Sequence, residues 1–275
     1  MKKSQLAINS VSTNRHPLDV CLAAYAEVGF RYVEFPLRHV RDYLDAGHTL
    51  ADVRRLLEGN GLRCIGGFET GLECFSPPEQ RAQSHGRIVE NARLLAELGG
   101  TNLVVGTDGP PDLGAVDDPL GEMAAVFAQV ADAIAATGVN LCIEFNWSPL
   151  VKSLRTAAEI ARRSERPNVG TIFDPAHYHC TPTKFDQLSA ENVATIKHVH
   201  VDDMRDKPAE LSNCNSDRLL PGQGILDLPA LFGRIEELGY DGYFSIEMFS
   251  DELWAMPAKQ AAQLMYDSLL GLCEG

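Results

Sequence analysis

Carboxylates and histidines recur at the ends of short apolar runs in the second half of this sequence. Leu-Cys-Ile-Glu-Phe-Asn carries Glu144, and Val-Gly-Thr-Ile-Phe-Asp ends at Asp174. Ile-Lys-His-Val-His-Val-Asp-Asp carries His198, His200, Asp202 and Asp203, and Tyr-Phe-Ser-Ile-Glu-Met-Phe carries Glu247. A charge inside an apolar strand is costly unless it is paired or coordinated. Any one of these groups alone could cap a loop or meet a buried arginine. Converging at one end of a sheet, Glu144, Asp174, His200 and Glu247 read instead as the ligands of one divalent metal ion. His198 and His200 are two apart and share a strand face. His200 lies nearer the strand's end and is the preferred ligand, with His198 as its support or as a side chain that fills the interior. Asp202 shares that face as a weaker ligand candidate. Three carboxylates and one imidazole are hard donors, which favours Mn²⁺ or Mg²⁺, with Co²⁺ and Zn²⁺ also suited.

The elements that must position these residues alternate along the chain. The apolar runs Gln5–Ser10, Arg31–Pro36, Leu62–Glu69, Asn102–Thr107, Asn140–Asn146, Asn168–Asp174, Ile196–Asp202 and Gly242–Phe249 have the composition of strands buried on both faces. Helical stripes lie between them. Leu120, Met123, Ala124, Phe127, Ala131 and Ile134 form one; Leu228, Leu231, Phe232, Ile235 and Leu238 form another. Glycines at 29, 99, 138 and 239 mark helix ends. Regular strand–helix alternation implies a parallel sheet. About eight such units, with no glycine-rich phosphate loop after the first strand, favour a closed barrel over a doubly wound sheet. The expectation is an α/β fold, a single (β/α)8 TIM barrel that forms one domain over residues 1–275. Such a barrel builds its site at the carboxyl ends of its strands. The longest irregular stretch, Asp203–Gly224, follows the seventh strand, and a loop of that length suggests function.

Bulk composition narrows the partners. The chain has 275 residues, 45% apolar and 23% charged, with a formal net charge of −14. That charge opposes nucleic acid and anionic membrane surfaces and leaves open a small neutral substrate or a metal that consumes carboxylates. The seven cysteines show no CxxC spacing, so neither a disulfide framework nor a structural zinc site is expected. A reducing, cytoplasmic setting follows as an expectation, with no signal peptide and no stretch of transmembrane length.

The strand endings Ile-Glu-Phe-Asn, Phe-Asp-Pro-Ala-His, His-Val-His-Val-Asp-Asp and Ser-Ile-Glu-Met-Phe resemble those of the xylose-isomerase-like barrels, a superfamily of sugar isomerases and epimerases. Asp217-Arg218-Leu-Leu-Pro221-Gly222-Gln223-Gly224 resembles the Arg-x-x-Pro-Gly-x-Gly signature of that group. The likeness is nearest to the inosose (keto-inositol) isomerases, with tagatose/psicose 3-epimerases and hydroxypyruvate isomerases further off. It is strong from Glu144 onward and diffuse before. The resemblance implies that Glu144, Asp174, His200 and Glu247 hold the metal and that Glu144 and Glu247 are also the acid–base pair. It further implies that His177 and Arg218 contact substrate oxygens, and it is compatible with a homo-oligomer. His177 could instead orient the metal cluster, and Arg218 could pair with loop carboxylates. Gly222, Gly224 and Asp227 read as structural, with Asp227 capping a helix whose first turn holds Pro229.

The implied chemistry is proton transfer through an enediolate on a keto-sugar or keto-inositol, giving isomerisation or epimerisation. A hydride shift would ask for a second metal and a lysine at a strand end; Lys197 is on the strand face opposite His200. The same site could serve a dehydratase or lyase acting on a keto-cyclitol or 3-keto-glycoside. A remote alternative is an abasic-site endonuclease, which needs more histidines than this sequence places near the site. A non-catalytic binding barrel would not need the glutamate pair. Glu34, Glu69, Trp147 and Trp254 are further candidates for the pocket wall.

Overall fold

The computed structural model describes residues 1–146 and 148–273. In chain order its elements are β1 (Leu6–Asn9), α1 (Leu18–Val28), β2 (Tyr32–Pro36), α2 (Leu37–Asp45), α3 (Leu50–Gly59), β3 (Arg63–Phe68), α4 (Pro78–Leu98), β4 (Asn102–Val105) and α5 (Pro119–Ile134). They continue with β5 (Asn140–Ile143), α6 (Leu154–Arg163), β6 (Val169–Phe173), α7 (Pro175–Cys180), α8 (Ala190–Val193), β7 (Ile196–Val201), β8 (Asp203–Met204), β9 (Arg218–Leu219), α9 (Leu228–Glu237), β10 (Phe244–Ile246), α10 (Asp251–Ala255) and α11 (Ala258–Leu270). Eight of the strands close into a parallel barrel in the order β1-β10-β7-β6-β5-β4-β3-β2. This is the expected (β/α)8 architecture. Closure is made by Leu6 opposite Phe244 and Ile8 opposite Ile246.

Burial explains why these runs are strands. Every residue of β1, β4 and β6 is buried, as a sheet covered by helices outside and side chains inside requires. On α5, Met123, Ala124, Phe127, Val130, Ala131 and Ile134 are buried, which is the stripe the sequence showed. Helices α1 and α4 stop at Gly29 and Gly99, both left-handed. One expectation needs correction. Pro119–Thr137, 19 residues long, is long and apolar enough by composition to cross a membrane. In the fold its apolar stripe faces the barrel, so amphipathic packing accounts for that composition.

The strands end earlier than the apolar runs do. Glu144, Asp174 and Glu247 each follow the last residue of β5, β6 and β10. The backbones of Glu144 and Glu247 still track the sheet, since Glu144 N donates to Val105 O at 3.0 Å and Glu247 N to Val201 O at 3.1 Å. The segment 203–224 is also more regular than expected. Its ends pair as an antiparallel two-strand ribbon, with Met204 opposite Arg218. Asp203 holds that ribbon to the turn beyond it. Its carboxylate accepts from the backbone N–H of Met204 (2.8 Å), Gly222 (3.1 Å), Gly224 (2.9 Å) and Leu226 (3.0 Å). A Cβ at Gly224 would collide with Asp203 and with the Met204 carbonyl, and Gly222 has φ +83°. The Pro-Gly-x-Gly sequence is thus required by the close approach of this turn. Asp227 caps α9 as expected, accepting from Ala230 N at 3.1 Å.

Candidate active site and metal centre

Side chains from β5, β6, β7 and β10 meet at the carboxyl end of the barrel, beneath the β8–β9 ribbon. Asp174 is the N-cap of α7. Its Oδ1 accepts from His177 N at 3.0 Å, and its Oδ2 faces inward, 3.3 Å from His200 Nδ1. The Asp-Pro-Ala-His sequence therefore has a local logic: the cap fixes the aspartate and the first helical turn presents His177 beside it. His177 Nε2 lies 3.4 Å from Glu144 Oε1, while its buried Nδ1 makes no hydrogen bond among the described residues. Glu144, the least buried of the group, also accepts from Asn146 Nδ2 at 3.2 Å.

Glu247 stands on the far side of the cluster. Its Oε1 accepts from Asn9 Nδ2 at 2.9 Å, and its Oε2 lies 3.3 Å from His200 Nδ1. Arg218, on β9, reaches down among the carboxylates. Its Nη1 donates to Glu247 Oε2 at 2.9 Å and its Nη2 to Asp174 Oδ2 at 3.0 Å. Asp202 Oδ2 is 2.7 Å from Arg218 Nη1. Among the described residues neither Asp202 oxygen makes a hydrogen bond of good geometry, although the residue is fully buried.

The carboxylates outnumber the cations, and their acidities diverge. Burial alone would raise Glu144, but the His177 charge and hydrogen bond outweigh it and hold Glu144 below the usual range. Burial prevails at Glu247, which is raised in spite of His200 and Arg218. Asp174 is held well below its ordinary value, because Arg218, His177 and His200 overcome its burial. Asp202 is pushed well above it by burial, and Arg218 offsets only part of that. His177 and His200 resist burial and are raised by the carboxylates around them.

The donor set fits a divalent ion. Ligand atoms of Glu144, Asp174 and His200 all lie within 4.8 Å of one another. Asp202, whose oxygens make no well-formed hydrogen bond among the described residues, and the surplus of buried carboxylate ask for a further positive charge. Glu247 lies outside that set, with its Oε2 3.3 Å from His200 Nδ1.

The site opens into a cavity of about 550 Å³, lined by Glu144, His177, His200, Arg218 and Glu247 together with Phe68, Glu69, Asp108 and Phe249. That volume suits a small molecule. Two of the pocket expectations change here. Glu34 is fully buried below the site, bonded to His198 and His200. Its charge marked it, but alternation along a strand gives the face and not the depth. Trp254 is not among the lining residues, and its Nε1 donates to Val11 O at 2.8 Å. Trp147 lies outside the described residues. Glu69 does line the cavity, held by Arg41 at 3.1 Å and Arg87 at 2.9 Å. Arg218 both lines the cavity and pairs with carboxylates, and its partners are the site's own acids. The sequence reading passed over Asn9 and Asp108. Asn9 is the last residue of β1, a position at a strand's carboxyl end that the strand pattern made available. Asp108 anchors the loop after β3, accepting from the N–H of Cys74, Phe75 and Ser76 at 2.7, 2.8 and 3.0 Å.

Comparison with known proteins bears on this geometry. The chain is 31% identical over 139 residues to the inosose isomerase of Bacillus velezensis, an alignment covering 50% of this chain and 49% of that one. It thus spans about half the length of the inosose isomerases it matches. It is 29% identical over 272 residues to the 3-dehydroshikimate dehydratase of Pseudomonas aeruginosa, covering 92% of this chain and 39% of that protein. The crystal structure of the IOLI protein with a bound zinc atom superposes with a TM-score of 0.86 at 22% identity, over 98% of this chain and 97% of that one. Residues 22–268 match the model of the xylose isomerase-like TIM barrel family, and the chain belongs to that family.

Proposed function

We propose that this chain is a divalent-metal-dependent isomerase or epimerase of a keto-sugar or keto-inositol, working by proton transfer through an enediolate. The observation that carries the reading is the placement of two glutamates of opposite tendency around one ligand cluster. Glu144 follows β5 and Glu247 follows β10, with β6 and β7 and their Asp174 and His200 between them. Without metal, His177 draws Glu144 down and burial draws Glu247 up, so the two carboxyls differ in their readiness to take and to give a proton.

Glu144, Asp174, His200 and Glu247 would hold the ion. Mn²⁺ suits this hard donor set first, with Mg²⁺, Co²⁺ and Zn²⁺ as the other candidates. When bound, the ion supplies a positive charge that favours negative charge on nearby substrate oxygens. The protein side chains do the rest. Glu144 accepts the proton from the carbon beside the ketone, and Glu247 returns one from the other side of the cluster. Return to the same carbon on its other face gives epimerisation. Return to the former carbonyl carbon, with transfer of a hydroxyl proton, gives isomerisation. His177, protonated beside Glu144 and Asp174, donates to a substrate oxygen. Arg218 lines the same cavity and fixes the carboxylates that surround the substrate.

A dehydratase is the second reading, favoured by the likeness to 3-dehydroshikimate dehydratase over 92% of this chain. The test is to strip the protein with a chelator, restore single metals and follow a panel of keto-inositols, ketoses and 3-keto-glycosides by mass. Conversion without mass change, lost on chelation and restored by Mn²⁺, is expected. Loss of water from the product would favour the dehydratase, and full activity after chelation would refute the metal.

A further inference from the structure

Below the cluster, in the barrel interior, sits a carboxylate that touches neither the cavity nor solvent. Glu34 is fully buried on β2. The pairing of β2 with β3 shifts register between Val33 and Glu34, so that Glu34 stands opposite Gly66. Irregularities of this kind re-aim a side chain at a chosen point of a barrel. Here the carboxylate meets three polar side chains. Ser245 Oγ donates to Oε2 at 2.8 Å, His198 Nε2 lies 2.9 Å from Oε2, and His200 Nε2 lies 3.2 Å from both oxygens. A buried carboxylate is expensive without such partners, so an apolar residue would be simpler if the position only filled space. The other nitrogen of His200 faces the opposite way, 3.3 Å from Asp174 Oδ2 and 3.3 Å from Glu247 Oε2.

We propose that Glu34 is a positioning residue of the metal centre: it takes the Nε2–H of His200 and thereby aims Nδ1 of that ring at the carboxylates of Asp174 and Glu247. A carboxylate behind a metal-binding imidazole fixes its tautomer and orientation and strengthens it as a ligand. Ser245 and His198 hold Glu34 in turn. This rests on the metal-centre reading given above.

Zn²⁺ is the probe. Its affinity is measured by competition with a chromophoric chelator for the wild-type chain, Glu34→Gln and Ser245→Ala, alongside the melting temperature of each metal-free form. Wild type is expected to bind one Zn²⁺ per chain. Glu34→Gln should bind it about 10–100-fold more weakly, and Ser245→Ala, which removes only the hydroxyl that donates to Glu34, should lose less. Nitrogen-15 NMR of the wild-type imidazoles, which needs no variant to fold, should show Nδ1 of His200 shifted by Zn²⁺ while Nε2 keeps its proton. Unchanged affinity in Glu34→Gln, or Zn²⁺ on Nε2, overturns the proposal. So do two Zn²⁺ per chain, because Glu34, His198 and His200 would then be ligands of a second ion. A wild-type chain that binds no Zn²⁺ refutes the metal centre itself, and this inference with it.

Discussion

Arg218 places one buried guanidinium among Asp174, Asp202 and Glu247, each within 3.0 Å. Removing one member of such a network leaves its partners uncompensated. Arg218→Met should therefore destabilise the metal-free protein by about 3–5 kcal/mol in urea unfolding, and added metal should recover much of the loss. An unchanged midpoint would mean that these carboxylates are neutralised in another way. The histidines add a pH dependence. His177 and His200 are raised above their unfolded values by the neighbouring carboxylates, against the effect of burial. Their contribution is complete below about pH 6.5, the unfolded value, and is lost as pH rises through the folded value. The metal-free chain should thus lose stability on going from neutral to alkaline pH, a slope that bound metal flattens; denaturant midpoints at several pH values check this. At this scale the sequence was informative wherever a charge interrupted an apolar strand, as at Glu144, Asp174 and Glu247. Asn9 was passed over because it carries no charge, although the strand pattern placed it at a strand end, and the depth of Glu34 was not legible.

The β8–β9 ribbon is the element that brings Arg218 to the site, and Asp203 is what ties the ribbon down. Gly224→Ala puts a methyl against Asp203 and the Met204 carbonyl. The expected cost is about 1–3 kcal/mol of stability, the usual range for forced overpacking, together with a loss of turnover as Arg218 shifts. A variant with wild-type melting and turnover would show that the turn relaxes freely. Two-residue strands are too short to show a period of two, which is why this stretch read as irregular. The strands and helices of the barrel were legible because each buries a long apolar face. Their exact ends were not, since the apolar pattern runs on past the last paired residue at Glu144, Asp174 and Glu247.

The whole molecule buries its strands between two layers, and most of its thiols lie in that interior. Cys21, Cys64, Cys74, Cys142 and Cys180 are buried, and Cys214 and Cys273 are partly exposed. Burial pushes the thiol of Cys21 up to about 11 and that of Cys64 up to about 12. Under native conditions at neutral pH a thiol reagent should label Cys214 and Cys273 alone, by mass mapping. Cys214 lines the cavity, so a bound substrate should protect it while Cys273 still reacts. Rapid labelling of the buried five would contradict the packing described. The closed barrel and its strand-end site were legible from alternation and from the absence of a phosphate loop. The walls of the cavity were less so, because the loops that build them, such as the one Asp108 anchors, follow no hydrophobic period.

The central claim is proton transfer by Glu144 and Glu247 beside a ketone, and it is tested most directly in D₂O. The Mn²⁺-loaded protein is incubated with keto-inositols, ketoses and 3-keto-glycosides, and proton NMR follows exchange of the hydrogens next to the carbonyl, with Glu247→Gln in parallel. Exchange by the wild type, slowed about 10²–10⁴-fold in the variant, is the predicted result. Product formed with full retention of its carbon-bound hydrogens, or equal exchange by both proteins, would contradict it.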